Sequence, residues 1–131
     1  MRIKPTVNIT LLTILVSIFL PACLGTVTSL RASSTSRTAF SGETSTEVDE
    51  LEIKPEMSSN ILTIKKMSLS SGQIAFKLSS PDERILWEEA FTAPADYQHT
   101  FDLDVTPGTW KLEIELENAT GNYDMQWTAS N

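Results

Sequence analysis

The stretch TWKLEIELE, residues 109–117, decides the fold class of this chain because apolar and polar side chains alternate along it without interruption. Successive side chains of a β-strand point to opposite faces of the sheet, so the pattern predicts a strand with one buried and one charged face. The apolar set is Trp110, Leu112, Ile114 and Leu116, and the charged set is Lys111, Glu113, Glu115 and Glu117.

Shorter runs repeat this alternation on both sides, as in Ile74-Phe76-Leu78, Phe101-Leu103-Val105 and Tyr123-Met125-Trp127. Turn-forming residues separate the runs, which is typical of antiparallel strands. We predict about six or seven strands, near residues 48–54, 61–69, 73–79, 84–92, 97–105, 109–118 and 122–129.

Three turn signals predict hairpins between consecutive strands. They are Ser80 to Glu83, Thr106 to Thr109 with Pro107-Gly108 at its centre, and Asn118 to Asn122. One apolar face per strand needs a second layer to cover it. The expected fold is therefore an all-β, two-sheet antiparallel sandwich over residues 47–131, immunoglobulin-like or jelly-roll-like, with about six or seven strands; a small barrel is the alternative.

The N-terminus has the pattern of an export signal. Two positive charges, Arg2 and Lys4, precede a mainly apolar run from Val7 to Leu20. This run is shorter than the roughly 20 residues that a helix needs to cross a bilayer.

The run ends in Leu20-Pro21-Ala22-Cys23, which resembles the lipobox of bacterial lipoproteins. The resemblance implies a signal peptide of residues 1–22, cleavage between Ala22 and Cys23, and diacylglyceryl and N-acyl groups (palmitate among them) on Cys23. It also implies a lipid anchor on the extracytoplasmic face of a cell membrane. The alternative is an ordinary secretory signal cleaved at alanine, with Cys23 as a free thiol.

Residues 23–46 are rich in Ser and Thr and poor in large apolar side chains. Such a segment buries too little apolar surface to offset its ordering entropy, so we expect a flexible linker after the lipidated cysteine.

The formal net charge of −7 excludes nucleic acid as a natural partner, since an acidic surface repels phosphate. The chain contains one histidine, His99, and one cysteine, so a zinc or copper site is not expected. No nucleophile elbow or paired acid and base is found, and we expect neither an enzyme nor a cofactor. His99 shares a face with Phe101 and is expected to be a partly buried edge residue.

Two further groups of side chains are candidate binding sites. An acidic patch of Glu113, Glu115 and Glu117 with Asp102 is expected on one sheet face as a solvated surface. Trp87, Trp110 and Trp127 occupy apolar positions, where core packing is the simplest role and a glycan site is the alternative. Asn8-Ile9-Thr10 and Asn118-Ala119-Thr120 match a glycosylation signal that has no expected role in a bacterial lipoprotein.

Residues 72–131, with the segments Ser80-Pro81-Asp82, Pro107-Gly108-Thr109-Trp110 and Gly121-Asn122-Tyr123, resemble small β-sandwich domains of Gram-positive lipoproteins. They are similar, more loosely, to the sandwich appended to secreted peptidases. We therefore expect a non-enzymatic binding module of the cell envelope whose partner is an envelope protein or polymer. The alternatives are a glycan-binding or small-ligand module that uses Trp residues, and an accessory subunit of a transporter or secreted enzyme.

The lipid anchor has a direct test in Cys23→Ala, with Thr26→Ala as the matched control. We expect the parent and the control to incorporate labelled palmitate, and the cysteine variant to lose the label and change its migration on a gel. Unchanged migration and retention of the intact variant in the membrane fraction would contradict lipidation at Cys23.

Overall fold

A computed structural model describes residues 30–131, so the predicted signal peptide and Cys23 lie outside the described range. Regular structure in this range consists of five β-strands, and the prediction of an all-β chain is confirmed. The described part contains no helix with the length and hydrophobicity of a membrane span. The strands are β1 (Arg31–Ile53), β2 (Ser59–Ser79), β3 (Ile85–Thr92), β4 (Ala95–Asp102) and β5 (Gly108–Ser130).

Strand β5 lies at the centre of a single antiparallel sheet. It pairs with β1 along one edge and with β2 along the other, in both cases over nearly its whole length. The remaining edge of β2 is shared: its first part pairs with β4 and its second part pairs with β3. Among the described strands, β1, β3 and β4 therefore each have one unpaired edge.

The three long strands change register at the same level of the sheet. Phe40 of β1 and Leu69 of β2 both lie opposite Gly121 of β5, and register shifts follow directly in all three strands. We call this level the crease; it comprises residues 40–45, 69–73 and 117–121. Positive φ angles at Gly42, Gly72 and Asn118 fall within it. Such irregularities bend strands, so the sheet turns over at the crease.

The sheet folds onto its own apolar face and forms a two-layer antiparallel sandwich, which confirms the predicted fold class; one folded sheet supplies both layers in place of the two sheets that were predicted. One layer contains β4 and the other contains β3, and these strands meet through their side chains rather than through hydrogen bonds. The indole of Trp87 on β3 lies 5.8 Å from the ring of Tyr97 and 4.6 Å from the ring of Phe101, both on β4. Buried side chains on both sides of the crease form one core.

The predicted flexible linker of residues 23–46 is wrong for residues 31–46, because these residues form the first part of β1. The boundary placed at residue 47 moves to Arg31. Small side chains of β1 lie beside large ones of β5: Ser34 pairs with Trp127, and Ser36 pairs with Met125. The segment is ordered by backbone pairing with β5 and not by burying large side chains of its own, so its composition resembles that of a linker.

Two of the predicted strand boundaries are also wrong, and five strands replace the predicted six or seven. The runs 61–69 and 73–79 are both parts of β2, and the runs 109–118 and 122–129 are both parts of β5. No hairpin forms at Asn118 to Asn122. Across the crease, the buried apolar positions of β5 change from even to odd residue numbers. Such a change of alternation, with Asn and Gly nearby, has the same sequence signature as a turn between two strands.

Of the two other predicted hairpins, one is present and one is not. Ser80 donates its backbone N–H to the carbonyl of Arg84, and β2 pairs with β3 as expected. The hairpin at Thr106 to Thr109 does not form, because β4 pairs with β2 instead of β5. Leu103 donates its N–H to the carbonyl of Asn60 at 2.8 Å, which holds the end of β4 against the start of β2.

The crease depends on a close backbone approach at Gly121. A Cβ atom there would lie 2.0 Å from the carbonyl oxygen of Ser68, whereas one at Gly42 would meet nothing within 4 Å. We expect Gly121→Ala to lower the free energy of unfolding by about 3 kcal/mol or more through overpacking. Gly42→Ala should cost about 1 kcal/mol, from its positive φ alone. Urea unfolding measures both changes; equal costs would contradict the described crease.

Candidate functional site

The three tryptophans occupy different environments. Trp110 and Trp127 are buried, as predicted for core residues, and both indole N–H groups are satisfied. Trp110 donates to the carbonyl of Thr106 at 2.9 Å, and Trp127 donates to the side chain of the buried Asn60 at 2.8 Å. Trp87 is half-buried and packs against the core from the rim. Two of the three rings that the alternative glycan site would use are therefore inaccessible.

Trp87 belongs to a group of aromatic side chains on the open side of the sandwich, between the unpaired edges of β3 and β4. Its ring stacks on Phe76 of β2 at 5.2 Å and on Tyr97 at 5.8 Å. Phe91 lies 4.8 Å from Tyr97. Each of the β3 and β4 rings in these contacts keeps part of its surface exposed. We use the name edge cluster for Trp87, Glu89 and Phe91 of β3 with Tyr97, His99 and Phe101 of β4.

Two polar residues of the edge cluster occupy positions that face the core. Glu89 lies beside the buried Phe76 in the register of β3, and His99 lies beside the buried Ile64 in the register of β4. Both side chains are nevertheless exposed, so the expectation that His99 is partly buried is wrong. On each strand, the residues two positions before and two positions after the polar residue are aromatic and face the same side. Glu89 and His99 therefore interrupt an apolar row near its middle. Departures from the apolar pattern of this kind are expected at functional sites.

Both polar side chains contact the aromatic rings directly. The indole N–H of Trp87 donates to Oε1 of Glu89 at 3.2 Å. The imidazole of His99 lies 4.5 Å from the ring of Phe101 in an edge arrangement and 6.1 Å from the ring of Tyr97. Burial raises the pKa of the Tyr97 phenol, and the negative charge of Glu89 raises it further. The cluster thus combines aromatic surface with a carboxylate acceptor in a negative local field.

The charge of the two edge strands has one sign. Between residues 85 and 102 there are four carboxylates and neither Lys nor Arg. The carboxylates are Glu88, Glu89, Asp96 and Asp102. This arrangement can hold a ligand that presents apolar surface together with hydrogen-bond donors.

The remaining sequence-predicted residues are not brought into this site. Cys23, Ala22 and Asn8 lie outside the described residues. The expected acidic patch is divided: Glu113, Glu115 and Glu117 lie on β5, whereas Asp102 lies on β4, which does not pair with β5. That part of the prediction is wrong because it depended on the hairpin at Thr106 to Thr109.

The outer face next to β5 has a depression of about 440 Å³. It is lined mainly by small and charged residues, among them Ala75, Ala90 and Glu115, and it also reaches Glu89 of the edge cluster. Lys77 lies there 3.6 Å from the carboxylate of Glu113, and both side chains are about half exposed. Within residues 30–131, no group of three or more His, Cys, Asp or Glu side chains is placed to hold a metal ion.

Sequence reasoning gave His99 a structural role at a strand edge and Trp87 a core role with a glycan site as the alternative, and it missed Glu89, Tyr97 and their proximity. The sequence does contain a signal for Glu89. In the run ILWEEAFT, residues 85–92, it alternates with Trp87 and Phe91 and so lies on the same strand face as these aromatic residues. The proximity of β3 and β4 was not readable, because it follows from folding the sheet at the crease.

No protein-family profile matches the sequence, and no curated protein sequence is similar to it. Among solved structures, the chain is similar to an endospore appendage of Bacillus, with 7% identity, a TM-score of 0.44, and coverage of 81% of this chain and 89% of the other. It is also similar to the CBM36-1 domain of a multidomain xylanase from the hindgut metagenome of Trinervitermes trinervoides, with 9% identity, a TM-score of 0.42, and coverage of 77% and 96%.

A third similar structure is TmCBM61 in complex with β-1,4-galactotriose, with 11% identity, a TM-score of 0.44, and coverage of 76% of this chain and 83% of the other. At these scores and identities the likeness concerns the β-sandwich class and transfers nothing about ligand or assembly.

Proposed function

We propose that this chain is a membrane-tethered extracytoplasmic lipoprotein that acts as a non-enzymatic binding module of the cell envelope, with the edge cluster as its binding surface. The observation that carries the proposal is the placement of Glu89 and His99. Both occupy core-facing positions of edge strands, and both reach solvent among half-exposed rings. The partner is an envelope protein or polymer.

The tether rests on the resemblance of Leu20-Pro21-Ala22-Cys23 to a lipobox. Because β1 begins at Arg31, residues 24–30 alone separate the proposed lipid from the sandwich. Seven residues span at most about 25 Å when fully extended. The turn end of the sandwich, where β1 begins and β5 ends, would then lie close to the membrane. The edge cluster runs along the side between this end and the crease, so it would stay accessible to a partner in the envelope.

The glycan alternative has fewer candidate residues than the sequence predicted. Sugar-binding aromatic side chains need an accessible ring face, and Trp110 and Trp127 have none. Trp87 contributes mainly its rim, since Phe76 and Tyr97 stack on its ring. The accessory-subunit alternative shares the same tether and acidic surface, and it differs from the main proposal only in the identity of the partner.

The proposal is tested by site-specific photo-crosslinking in cells, with the photoreactive residue at position 99 or, as the matched control, at position 115 on the outer face of β5. We expect a discrete adduct from position 99 and none from position 115. Adding Glu89→Val should abolish the adduct at position 99 because it removes the carboxylate from the cluster. Absence of any adduct, or equal adducts from both positions, would contradict a binding role for the edge cluster.

A further inference from the structure

We infer that the ligand of the edge cluster is a cationic side chain, a lysine ammonium or an arginine guanidinium in a basic segment of a partner protein. This inference rests on the proposed binding role of the cluster and adds the chemical class of what it binds. It follows from the combination of aromatic surface, a central carboxylate and negative charge along both β3 and β4.

The rings supply the first component. Tyr97, Phe91 and Phe101 each keep part of their surface exposed around Glu89 and His99. The face of an aromatic ring attracts a cation through its quadrupole, and the attraction is typically about 0.5–1 kcal/mol at exposed sites. A lysine or arginine stem also has methylene groups that pack on ring edges, so one side chain satisfies both the apolar and the charged parts of the cluster.

The carboxylate supplies the second component. Glu89 accepts one hydrogen bond, from the indole of Trp87, and retains further acceptor capacity on the exposed side of the cluster. An ammonium or guanidinium group that donates to it forms a charge-assisted hydrogen bond, which is stronger than a neutral one. The negative charge of Glu89 acts electrostatically on the neighbouring Tyr97, because it contributes to the raised pKa of the Tyr97 phenol.

The surrounding charges supply the third component. No Lys or Arg occurs between residues 85 and 102. Two basic side chains of neighbouring segments are paired: Lys77 lies 3.6 Å from Glu113 on the outer face, and Arg84 lies 3.4 Å from Asp104 at the turn end. Lys65 and Lys66 are exposed at the β2 bulge between the partners of His99 and Tyr97, and Lys66 lines a depression together with Tyr97. The two edge strands themselves present only carboxylates to a partner, which attract a cationic group and repel an anion, whereas a neutral sugar gains nothing from their charge.

The inference is tested with a capped trilysine peptide titrated into isotopically labelled protein comprising residue 23 onward with Cys23→Ala, a chain that contains every described residue. The indole N–H signal of Trp87 and the backbone signals of β3 and β4 report binding at the edge cluster. The matched ligand is the same peptide with all three side-chain amines acetylated, which keeps the stems and removes the charge. We expect shifts in the edge cluster with the first peptide and no saturable shifts with the second.

Glu89→Gln and Glu88→Gln are the matched variants, since they remove the same charge from opposite faces of β3. We expect Glu89→Gln to raise the dissociation constant for trilysine by about three- to tenfold. Glu88→Gln should change it by less than about twofold, because the outer face contributes only screened, long-range attraction. Equal losses from both variants would overturn the inference, since they would show attraction to general acidity without a defined site.

A second titration separates this inference from the proposed function. If neutral oligosaccharides or the acetylated peptide shift the edge cluster as strongly as trilysine, the cluster binds ligands but the cationic class is wrong. If no probe shifts the edge cluster and photo-crosslinking at position 99 also fails, the proposed binding surface itself is wrong.

Discussion

The structure depends on the pairing of β5 along both of its edges through the crease. β1 and β2 follow β5 from Gly108 to Ser130 and bend with it where Gly121 lies between Phe40 and Leu69. The close approach at Gly121 leaves no room for a side chain. Because all three strands turn together, one hydrogen-bonded sheet supplies both layers of the sandwich, and its apolar face is covered without a second sheet.

This construction determines where the sandwich stays open. Each layer ends in a short strand, β3 in one and β4 in the other, and both pair with successive parts of β2. The space between them is closed by side chains alone. Aromatic rings occupy most of that space, and Glu89 and His99 reach solvent near its middle. The edge cluster is thus a consequence of the same bend that builds the core, and it is the place where core-facing positions become accessible to a ligand.

The sequence predicted the fold class because alternation is a local property. Trp110 to Leu116 and Tyr123 to Trp127 each show a buried face without reference to any other residue. The sequence did not predict the continuity of β5, because the phase change at Ala119 and the nearby Asn118 and Gly121 have the local signature of a hairpin.

The first part of β1 was missed for a different physical reason. Its core-facing positions carry Ala32, Ser34, Ser36 and Thr38, and their small side chains leave room for Tyr123, Met125 and Trp127 of β5. Only the neighbouring strand makes such a segment ordered. The same limit applies to the site: His99 was visible as an edge residue, but its relation to Glu89 depends on the fold of the whole sheet.

The central claim is that Glu89 and His99 are present for binding and not for stability. The most direct measurement is the free energy of unfolding, by urea, of the double variant Glu89→Val/His99→Val. Valine suits a half-buried strand position better than either residue, so the account predicts an unchanged free energy or a gain of about 1 kcal/mol. A loss of more than about 2 kcal/mol would show that the two polar side chains hold the open edge together, and would contradict the account.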